Sequence, residues 1–447
     1  MWSEAFEILT LRSGHNTRVV LVGTALLGVA AGVVGVFALL RKRSLTADAL
    51  SHAMLPGLAG AFLAASALGL GRSLPVLLLG AAVSGVLGIL TIQWLLRHTR
   101  LREDAATGIV LSVFFGAGVV LLSVVQTRAP AGAAGLGHFL YGQTAALSVG
   151  DAWLMGGIAA AAVLSSVLLL KEFRLVCFND AFARVDGWPV QAIDLLMMAL
   201  VVLVTVAGIQ AVGIILVVAL LIIPAVAARF WTQRLGWLLL IAAVIGGGCA
   251  YLGAATSALL PRKPAGSVIV LVGGAAFGIS LLAAPQRGLI AAGVRRLRLS
   301  LAVASDHVVE AAYRAAESPA PVVMDRAVGR GLYARLVRGL LPLRLRRRGY
   351  GRFVKPTSPQ TPGVWRFEAT EVGLDRGRAV DRNHRLWERY LIKYADVAPS
   401  HIDWAVDQVE HVLGADLVAE LEAAVGVPAP EAGSDRPTPV APVGTPR

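Results

Sequence analysis

The sequence predicts an all-α polytopic membrane protein with about nine transmembrane helices, followed by a soluble region. Of the 447 residues, 56% are hydrophobic and 15% are charged. From about Arg18 to Pro285, apolar runs of roughly 18–24 residues follow one another, and each can cross a bilayer core of about 30 Å. Beyond Arg287, arginines and acidic residues become frequent. The chain therefore divides into a membrane domain and a soluble region.

Nine apolar runs are candidate spans. Their small residues include glycines in the first and eighth runs (Gly28, Gly32 and Gly35; Gly246 to Gly248), and small residues let membrane helices approach closely. This pattern favours a packed bundle over isolated anchors. Residues 129–150 are too polar and glycine-rich for a span, and residues 1–12 predict a short interfacial helix. The spans lie near 18–40, 48–70, 74–96, 104–126, 150–170, 191–209, 211–228, 235–258 and 264–285.

Basic residues predict the orientation of the spans. The connections after odd-numbered spans carry eleven lysines and arginines before the soluble region, and those after even-numbered spans carry four. Because cytoplasmic loops are enriched in these residues, the odd side is predicted to be cytoplasmic. The soluble region would then lie in the cytoplasm.

An ionisable pair begins the second span, which reads Asp-Ala-Leu-Ser-His-Ala-Met-Leu-Pro-Gly from Asp48 to Gly57. Asp48 and His52 are four residues apart and therefore share one helical face. Ionisable groups inside a membrane are costly and usually mark a substrate path, and a carboxylate with an imidazole suits manganese, iron or zinc. The pair predicts a metal on a transport path. The alternative is that Asp48 caps the helix and His52 is a buried structural histidine.

Three other acids, Asp104, Asp151 and Asp194, each lie near the start of a span. An acid at that place complements the positive end of a helix. We therefore expect all three to act as N-terminal caps.

The chain lacks the means to hydrolyse ATP by a phosphate-binding loop, because no glycine in it is followed by lysine. A transporter driven by ATP would need a separate ATPase subunit. The longest cytoplasmic connection, Lys171–Val190, has an amphipathic rhythm of aromatic and apolar residues before a Gly-Trp-Pro break. A short surface helix of this kind can dock into a groove of a partner. An ordinary surface loop is the alternative.

The soluble region changes sign along its length. Residues 287–365 contain 15 basic and 4 acidic residues, and residues 366–447 contain 9 basic and 14 acidic residues. Basic clusters next to a membrane span usually bind anionic lipids, with nucleic acid as the competing partner. Helical periodicity over 306–316 and 325–341, followed by two short strands at 350–354 and 364–369, predicts a winged-helix-like unit.

Two further sets of ligand-type residues follow. His384 and Glu388 are four residues apart, and Asp407, Glu410 and His411 are spaced i, i+3, i+4. Each set occupies one helical face, and the two faces together could enclose a metal with hard ligands such as manganese or iron. Solvated surface ion pairs are the alternative for each set alone.

The membrane domain resembles the permeases of metal-ion ABC transporters. The Asp48–Gly57 segment resembles their Asp-Ala-Leu-Ser-His-x-x-Leu-Pro-Gly signature, and 139–143, 171–190, 220–229 and 264–271 resemble later segments in the same order. The resemblance covers about residues 15–290. It implies that Asp48 and His52 line the translocation path, and that permeases pair around one path with an ATPase dimer and an extracytoplasmic metal-binding protein. It also implies a coupling helix that contacts the ATPase, formed by Ala183, Arg184, Val185, Asp186 and Gly187.

Residues 377–426 resemble the metal-binding and dimerisation domain of iron- and manganese-dependent repressors of the diphtheria-toxin-repressor type. The His-Arg-Leu-x-Glu-Arg sequence at His384 and the Glu-His pair at Glu410 carry this resemblance. Asp407 stands where those repressors have cysteine or glutamate. The resemblance implies a regulatory manganese or iron, whereas the preceding basic region has no convincing recognition helix.

Together these observations predict a permease subunit that imports a divalent metal across a bacterial inner membrane. Manganese is favoured over zinc and iron. The subunit is expected to have no permanently bound cofactor and no catalytic residue of its own. The alternatives are a membrane-anchored, metal-dependent DNA-binding regulator, and a permease for a metal chelate with a passive dimerisation module. The predicted regions are 1–17 (interfacial), 18–286 (permease), 287–370 (winged-helix-like), 371–426 (repressor-like) and 427–447 (proline-rich and disordered).

Overall fold

The computed structural model describes most of the chain and divides it into two compact units, residues 1–292 and 293–447. The predicted loop between the fourth and fifth spans lies almost entirely outside the described residues, as does the C-terminal tail. The described residues are 2–12, 14–68, 74–128, 148–260, 264–317, 332–354, 366–394 and 415–425.

All nine predicted spans are helical. Eight of the described helices are long and apolar enough to cross a membrane, and the seventh predicted span, α10, is a shorter apolar helix. A short N-terminal helix, α1, precedes them where an interfacial helix is predicted. The helices of the membrane unit are α1 (Trp2–Leu9), α2 (His15–Leu40), α3 (Ser44–Ala67), α4 (Leu74–His98), α5 (Glu103–Arg128), α6 (Val149–Leu168), α7 (Leu170–Phe178), α8 (Asp180–Val185), α9 (Val190–Val212), α10 (Ile214–Trp231), α11 (Leu235–Leu259) and α12 (Ala265–Ala283).

Glycines let α2 and α11 pack closely. A Cβ atom at Gly28 would collide with the carbonyl of Gly246, and one at Gly32 would collide with the carbonyl of Ala242. These small residues therefore set the distance between the two backbones, as expected for membrane helices. Helix α2 also packs on α6, α9 and α10, so it lies at the centre of one helical group.

Helices α3, α4 and α5 form a second group. Gly57 of α3 and Gly80 of α4 allow a close approach of these two helices, and the hydroxyl of Ser84 donates a hydrogen bond of 2.6 Å to the carbonyl of Ala53. Helix α9 contacts both groups through α2, α3 and α4. Only the three residues Arg41–Arg43 separate α2 from α3.

Where the structure describes it, the soluble unit contains helices around one antiparallel hairpin. Its described elements are α13 (Leu289–Glu317), which begins four residues before the unit boundary, α14 (Leu332–Arg347), β1 (Gly351–Val354), β2 (Arg366–Ala369), α15 (Glu371–Tyr394) and α16 (Ala415–Val425). In the hairpin, Phe353 pairs with Phe367. A small apolar core joins α13, α14 and β2 through residues such as Val308, Leu341 and Phe367. The two predicted strands are confirmed, and the winged-helix assignment of the unit stays a prediction.

Candidate metal pair and partner-docking segment

Asp48 and His52 lie one turn apart on α3, as the sequence predicts. The Oδ1 atom of Asp48 is 3.7 Å from Nε2 of His52, and their side chains are 40% and 24% exposed within this single chain. The His52 ring packs edge-to-face against Phe115 of α5, with ring centroids 5.2 Å apart. Both polar groups therefore share one face, and that face is partly open.

Asp48 is not a helix cap. Helix α3 begins at Ser44 and Arg43 precedes it, so Asp48 is the fifth helical residue and lies beyond the first turn. Unpaired backbone N–H groups belong to that first turn, and Asp48 has none to satisfy. The alternative interpretation of Asp48 from the sequence is thus wrong.

Pro56 adds a third feature to the same face, because it follows His52 by four residues. Proline has no N–H group, so the carbonyl of His52 lacks its usual helical donor. Further along α3, an apolar groove of about 620 Å³ lies between α3, α4 and α5. Its lining residues include Gly57, Gly60, Gly80, Val83, Val113 and Phe114.

The chemistry of the pair is that of an incomplete metal site. One carboxylate and one imidazole supply two ligands, whereas transition metals such as zinc take four and often more. Within the described part of the chain, no cluster of three or more His, Cys, Asp or Glu residues could hold a metal. Any tightly held ion at Asp48 and His52 needs ligands from another molecule or from water.

The segment predicted to contact a partner forms two short helices, α7 and α8. The side chain of Asn179 accepts a hydrogen bond of 3.0 Å from the N–H of Phe182 and thereby caps α8. Ala183 is fully buried, whereas Val185 is 89% exposed. Gly187, with φ of +81°, turns the chain toward α9. Helix α8 thus buries one face and exposes apolar residues on the other, which is the form of a helix that docks onto a partner.

Helix α7 anchors this segment on α2. Phe173 and Phe37 pack edge-to-face with centroids 5.0 Å apart, and both rings are buried. Cys177 of α7 lies against the sulfur of Met197 at 3.9 Å. Burial raises the pKa of the Cys177 thiol to about 11; Arg41 opposes this shift, and Asp194 adds to it. Cys177 is therefore a protonated, inert thiol at neutral pH.

Asp194 is not a cap either, and the sequence does not predict its ion-pair partners. It is the fifth residue of α9, and its buried carboxylate binds Nε of Arg41 at 3.2 Å and Nη1 of Arg43 at 2.5 Å. Arg43 also binds Glu103 of α5 at 2.9 Å. We call Asp194, Arg41, Arg43 and Glu103 the Asp194 cluster. The only signal in the sequence is an acid placed inside an apolar run.

The two other predicted caps lie at helix starts. Ser148 and Asp151 form a reciprocal capping box at the start of α6, which stabilises the helix by satisfying two free N–H groups. Asp104 lies in the first turn of α5, beside Glu103. The expectation that acids mark helix starts is therefore confirmed for Asp151 and is consistent with the position of Asp104.

In the soluble unit, His384 and Glu388 lie one turn apart on α15 and are both half-buried. Asp407, Glu410 and His411 fall outside the described residues, so the structure gives no geometry for the second predicted face. The described pair fits a metal in its ligand types and spacing. A metal held there would need further ligands.

Two buried carboxylates fasten α15 to α13. Asp306 of α13 accepts hydrogen bonds from Nε and Nη2 of Arg376 at 3.0 and 2.7 Å. A second ion pair has its acid on α15: the carboxylate of Asp381 lies 2.8 Å from Nε of Arg314 on α13. The hydrogen bond to Asp306 raises the pKa of Arg376. Gly377 permits the close approach, because a Cβ there would collide with the carbonyl of Val309. The helix that carries His384 is therefore fixed in place.

Two family models match the chain. Residues 14–284 match the ABC 3 transport family, and this range includes Asp48, His52 and the α7–α8 segment. Residues 370–433 match the iron dependent repressor, metal binding and dimerisation domain. The second range includes all five predicted ligands of the soluble region.

Individual relatives extend the first match. The chain is 38% identical over 394 residues to the "Manganese transport system membrane protein MntC" of Bacillus subtilis, with 88% of each chain covered. This length exceeds the 292 residues of the membrane unit, so the similarity continues into the soluble unit. Identity is 42% to the "Zinc transport system membrane protein TroC" of Treponema pallidum, covering 66% of this chain and 97% of the relative.

A solved structure has a similar fold. PsaBC from Streptococcus pneumoniae in complex with Fab matches with a TM-score of 0.56 and 32% identity, covering 64% of this chain and 98% of that one. The likeness therefore extends over nearly the whole of that chain.

Proposed function

Since the chain belongs to the ABC 3 transport family, we propose that it is the membrane permease of an importer that moves manganese into a bacterial cell. The observation that carries the proposal is the Asp48–His52 pair, a carboxylate and an imidazole 3.7 Å apart on a span. Each is an ordinary ligand of a first-row divalent ion. Their partial exposure leaves room for a passing ion.

A second permease subunit completes the site in this proposal. Two copies related by a twofold axis would bring two Asp48 and two His52 side chains together, which gives four protein ligands around one ion. Closed twofold pairs are the commonest oligomers. The exposed face of α3 is the surface that such a pair requires. A related but different permease could take the same place.

Manganese is preferred as cargo over zinc and iron for two reasons. Oxygen and imidazole ligands suit manganese, and α3 contains no cysteine that would favour softer ions. A relative that aligns over 88% of both chains is named for manganese transport. Zinc is the second candidate, because TroC is named for zinc.

In this proposal, a partner subunit supplies the energy for transport by hydrolysing ATP. Residues Ala183 to Gly187 dock into an ATPase subunit through the outer face of α8, whose apolar side chains Phe182 and Val185 are exposed. An extracytoplasmic metal-binding protein delivers the ion to the opposite side. The bias of basic residues supports a cytoplasmic position for α8 and for the soluble region, in a bacterial inner membrane.

The soluble region is proposed to sense internal metal. His384 and Glu388, with Asp407, Glu410 and His411, would hold manganese or iron, and binding there would inhibit import. The ion pairs between α13 and α15 support this idea, because they give the first two ligands a fixed position. The basic residues of α13, beside exposed Val294 and Leu299, would contact anionic lipid headgroups.

The test is uptake of radiolabelled manganese by cells that express the chain with its ATPase. Wild type should accumulate the ion, and Asp48→Ala and His52→Ala should not, at equal membrane levels. Equal uptake by all three chains would refute the proposal.

A DNA-binding regulator is the second candidate, and the basic α14 is the feature that favours it. Its arginines include Arg335, Arg338, Arg344, Arg346 and Arg347. Sequence-dependent binding of duplex DNA by the full chain in detergent, abolished by chelating the metal, would favour this candidate.

A further inference from the structure

The Asp194 cluster, together with Gln93, joins three helices to the turn between α2 and α3. Asp194 extends from α9 to Arg41 and Arg43, which lie in the turn between α2 and α3. Gln93 of α4 donates a further hydrogen bond of 3.4 Å to the same carboxylate. Glu103 of α5 binds Arg43 from the other side. With two cations and two anions, the cluster is electrically balanced.

The cluster also contacts the proposed ATPase-docking segment. Nη1 of Arg41 donates a hydrogen bond of 3.0 Å to the carbonyl of Val176 in the last turn of α7. That carbonyl belongs to the negative end of a helix, which favours a nearby cation. The segment is thus bound to the cluster through Arg41 and through the chain itself, because α8 leads within five residues to α9.

The proposed metal ligands begin just beyond the cluster. Arg43 directly precedes α3, so Asp48 and His52 follow it by five and nine residues, or about 7.5 and 13.5 Å along the helix. Arg43 is therefore fixed at the N-terminus of α3, the helix that carries Asp48 and His52. Since the side chains of Asp194 and Arg43 are only 6% and 11% exposed, water does not compete strongly for this contact.

We propose that the Asp194 cluster transmits movement of the α7–α8 segment to α3, so that an ATPase working on α8 changes the position of Asp48 and His52. Asp194 is then a positioning residue for transport, and it contacts neither the ion nor ATP. This proposal rests on the proposed function for the identity of the partner and the cargo. Packed helices can slide against one another when a transporter changes conformation, and charge-assisted hydrogen bonds such as those of the Asp194 cluster resist separation of the elements they join.

The first experiment measures ATP hydrolysis and manganese uptake together, with the permease and its ATPase reconstituted in vesicles. Asp194→Asn should keep hydrolysis within about twofold of wild type while uptake falls at least tenfold, so the ATP used per ion rises at least fivefold. Manganese affinity should not change. Asp194→Glu should restore much of the coupling, and the exposed Asp104→Asn serves as a matched control. Wild-type uptake by Asp194→Asn, or a parallel loss of uptake and hydrolysis, would overturn the proposal.

A second measurement does not depend on the cargo. Spin labels at the exposed positions Leu45 of α3 and Trp237 of α11, in a Cys177→Ser, Cys249→Ala background, report how far α3 moves when the complex traps a nucleotide. Wild type should change its label distance, and Asp194→Asn should lose at least half of that change. An undiminished change in Asp194→Asn would overturn the proposal even if wild type carries no manganese, so the two proposals can fail separately.

Misfolding is controlled by a double variant. Asp194→Asn with Arg43→Gln removes one charge of each sign and keeps the cluster neutral, so it avoids leaving an unbalanced buried cation. It should assemble with the ATPase and still show the loss of coupling. A coupled double variant would contradict the proposal.

Discussion

Asp306 and Arg376 join two helices of the soluble unit by a pair of parallel hydrogen bonds, 3.0 and 2.7 Å long. Paired bonds of this kind between a guanidinium and a carboxylate fix direction as well as distance. The contact holds α15 against α13, 70 residues earlier in the chain. The position of His384 on α15 therefore depends on an ion pair two turns away.

Loss of this pair should loosen α15. Asp306→Asn leaves the guanidinium without its anion. Because the Arg376 side chain is 40% exposed, we expect a cost of about 2 kcal/mol, below the value for a fully buried pair. Hydrogen exchange of the α15 amides in the full chain should then accelerate about thirtyfold. The control is Asp375→Asn, which removes an exposed pair with Arg378 and should leave exchange unchanged; equal protection in both variants would contradict the assignment.

Substitutions at or beside the Asp48–His52 pair should lower manganese uptake strongly and selectively. His52→Ala removes an imidazole ligand and should lower manganese uptake at least about tenfold, because a metal site is sensitive even to its outer contacts. Phe115→Leu removes the ring that packs on His52 and should lower uptake by a smaller factor. Uptake through vesicles of matched protein content measures both effects.

Matched controls exist for each half of the pair. His98 is an exposed histidine at the end of α4, stacked on Trp94, so His98→Ala should transport normally. The exposed Asp104→Asn is the control for Asp48→Asn. If a control variant loses as much uptake as the site variants, the loss reflects folding and the pair has no special role.

The fold was largely predictable from the sequence because the length of an apolar run decides whether it can span a membrane. The shared helical face of Asp48 and His52 was also predictable, since the helical period alone places residues four apart on one side. The partners of Asp194 were not: Arg41 lies 153 residues away, and no periodicity links them. The same holds for Asp306 and Arg376. Long-range ion pairs depend on packing, which a single sequence does not report.

The outer face of α8 should control assembly with the ATPase. Val185 is exposed, and Val185→Asp would bring a carboxylate into an apolar contact. Such a change at the centre of an interface costs about 2 kcal/mol, so affinity for the ATPase should fall about thirtyfold in a pull-down titration. Val372→Asp, at an exposed valine of α15, is the matched control and should bind as wild type. Unchanged affinity in Val185→Asp would exclude this face as the docking surface.

Cys177 should be a pH probe of the Asp194 cluster. Burial raises its pKa to about 11, and Asp194 adds to that shift. In a Cys249→Ala background, alkylation should therefore rise about tenfold per pH unit up to pH of about 11, because only the thiolate reacts. An added cysteine at exposed Phe178 should level off near pH of about 8.5.

Asp194→Asn should shift this profile. Removing the anion makes the Cys177 thiolate easier to form, while Arg41 still favours it, so the pKa of Cys177 should fall. The alkylation rate at pH of about 9 would then increase over the parent chain. A slower rate, or an unchanged profile, would contradict the electrostatic contact between α7 and α9.

The soluble unit should bind metal independently of transport. In a background of Asp48→Asn with His52→Ala, any remaining manganese bound by the full chain must lie elsewhere, and equilibrium dialysis in detergent should find about one ion per soluble unit. His384→Ala or Glu388→Gln should then weaken that binding by about tenfold or more, because each removes a ligand. Asp375→Asn, on the same helix but exposed, is the control. If the background chain binds no manganese or iron, or if His384→Ala binds as tightly as the control, metal sensing through α15 is refuted.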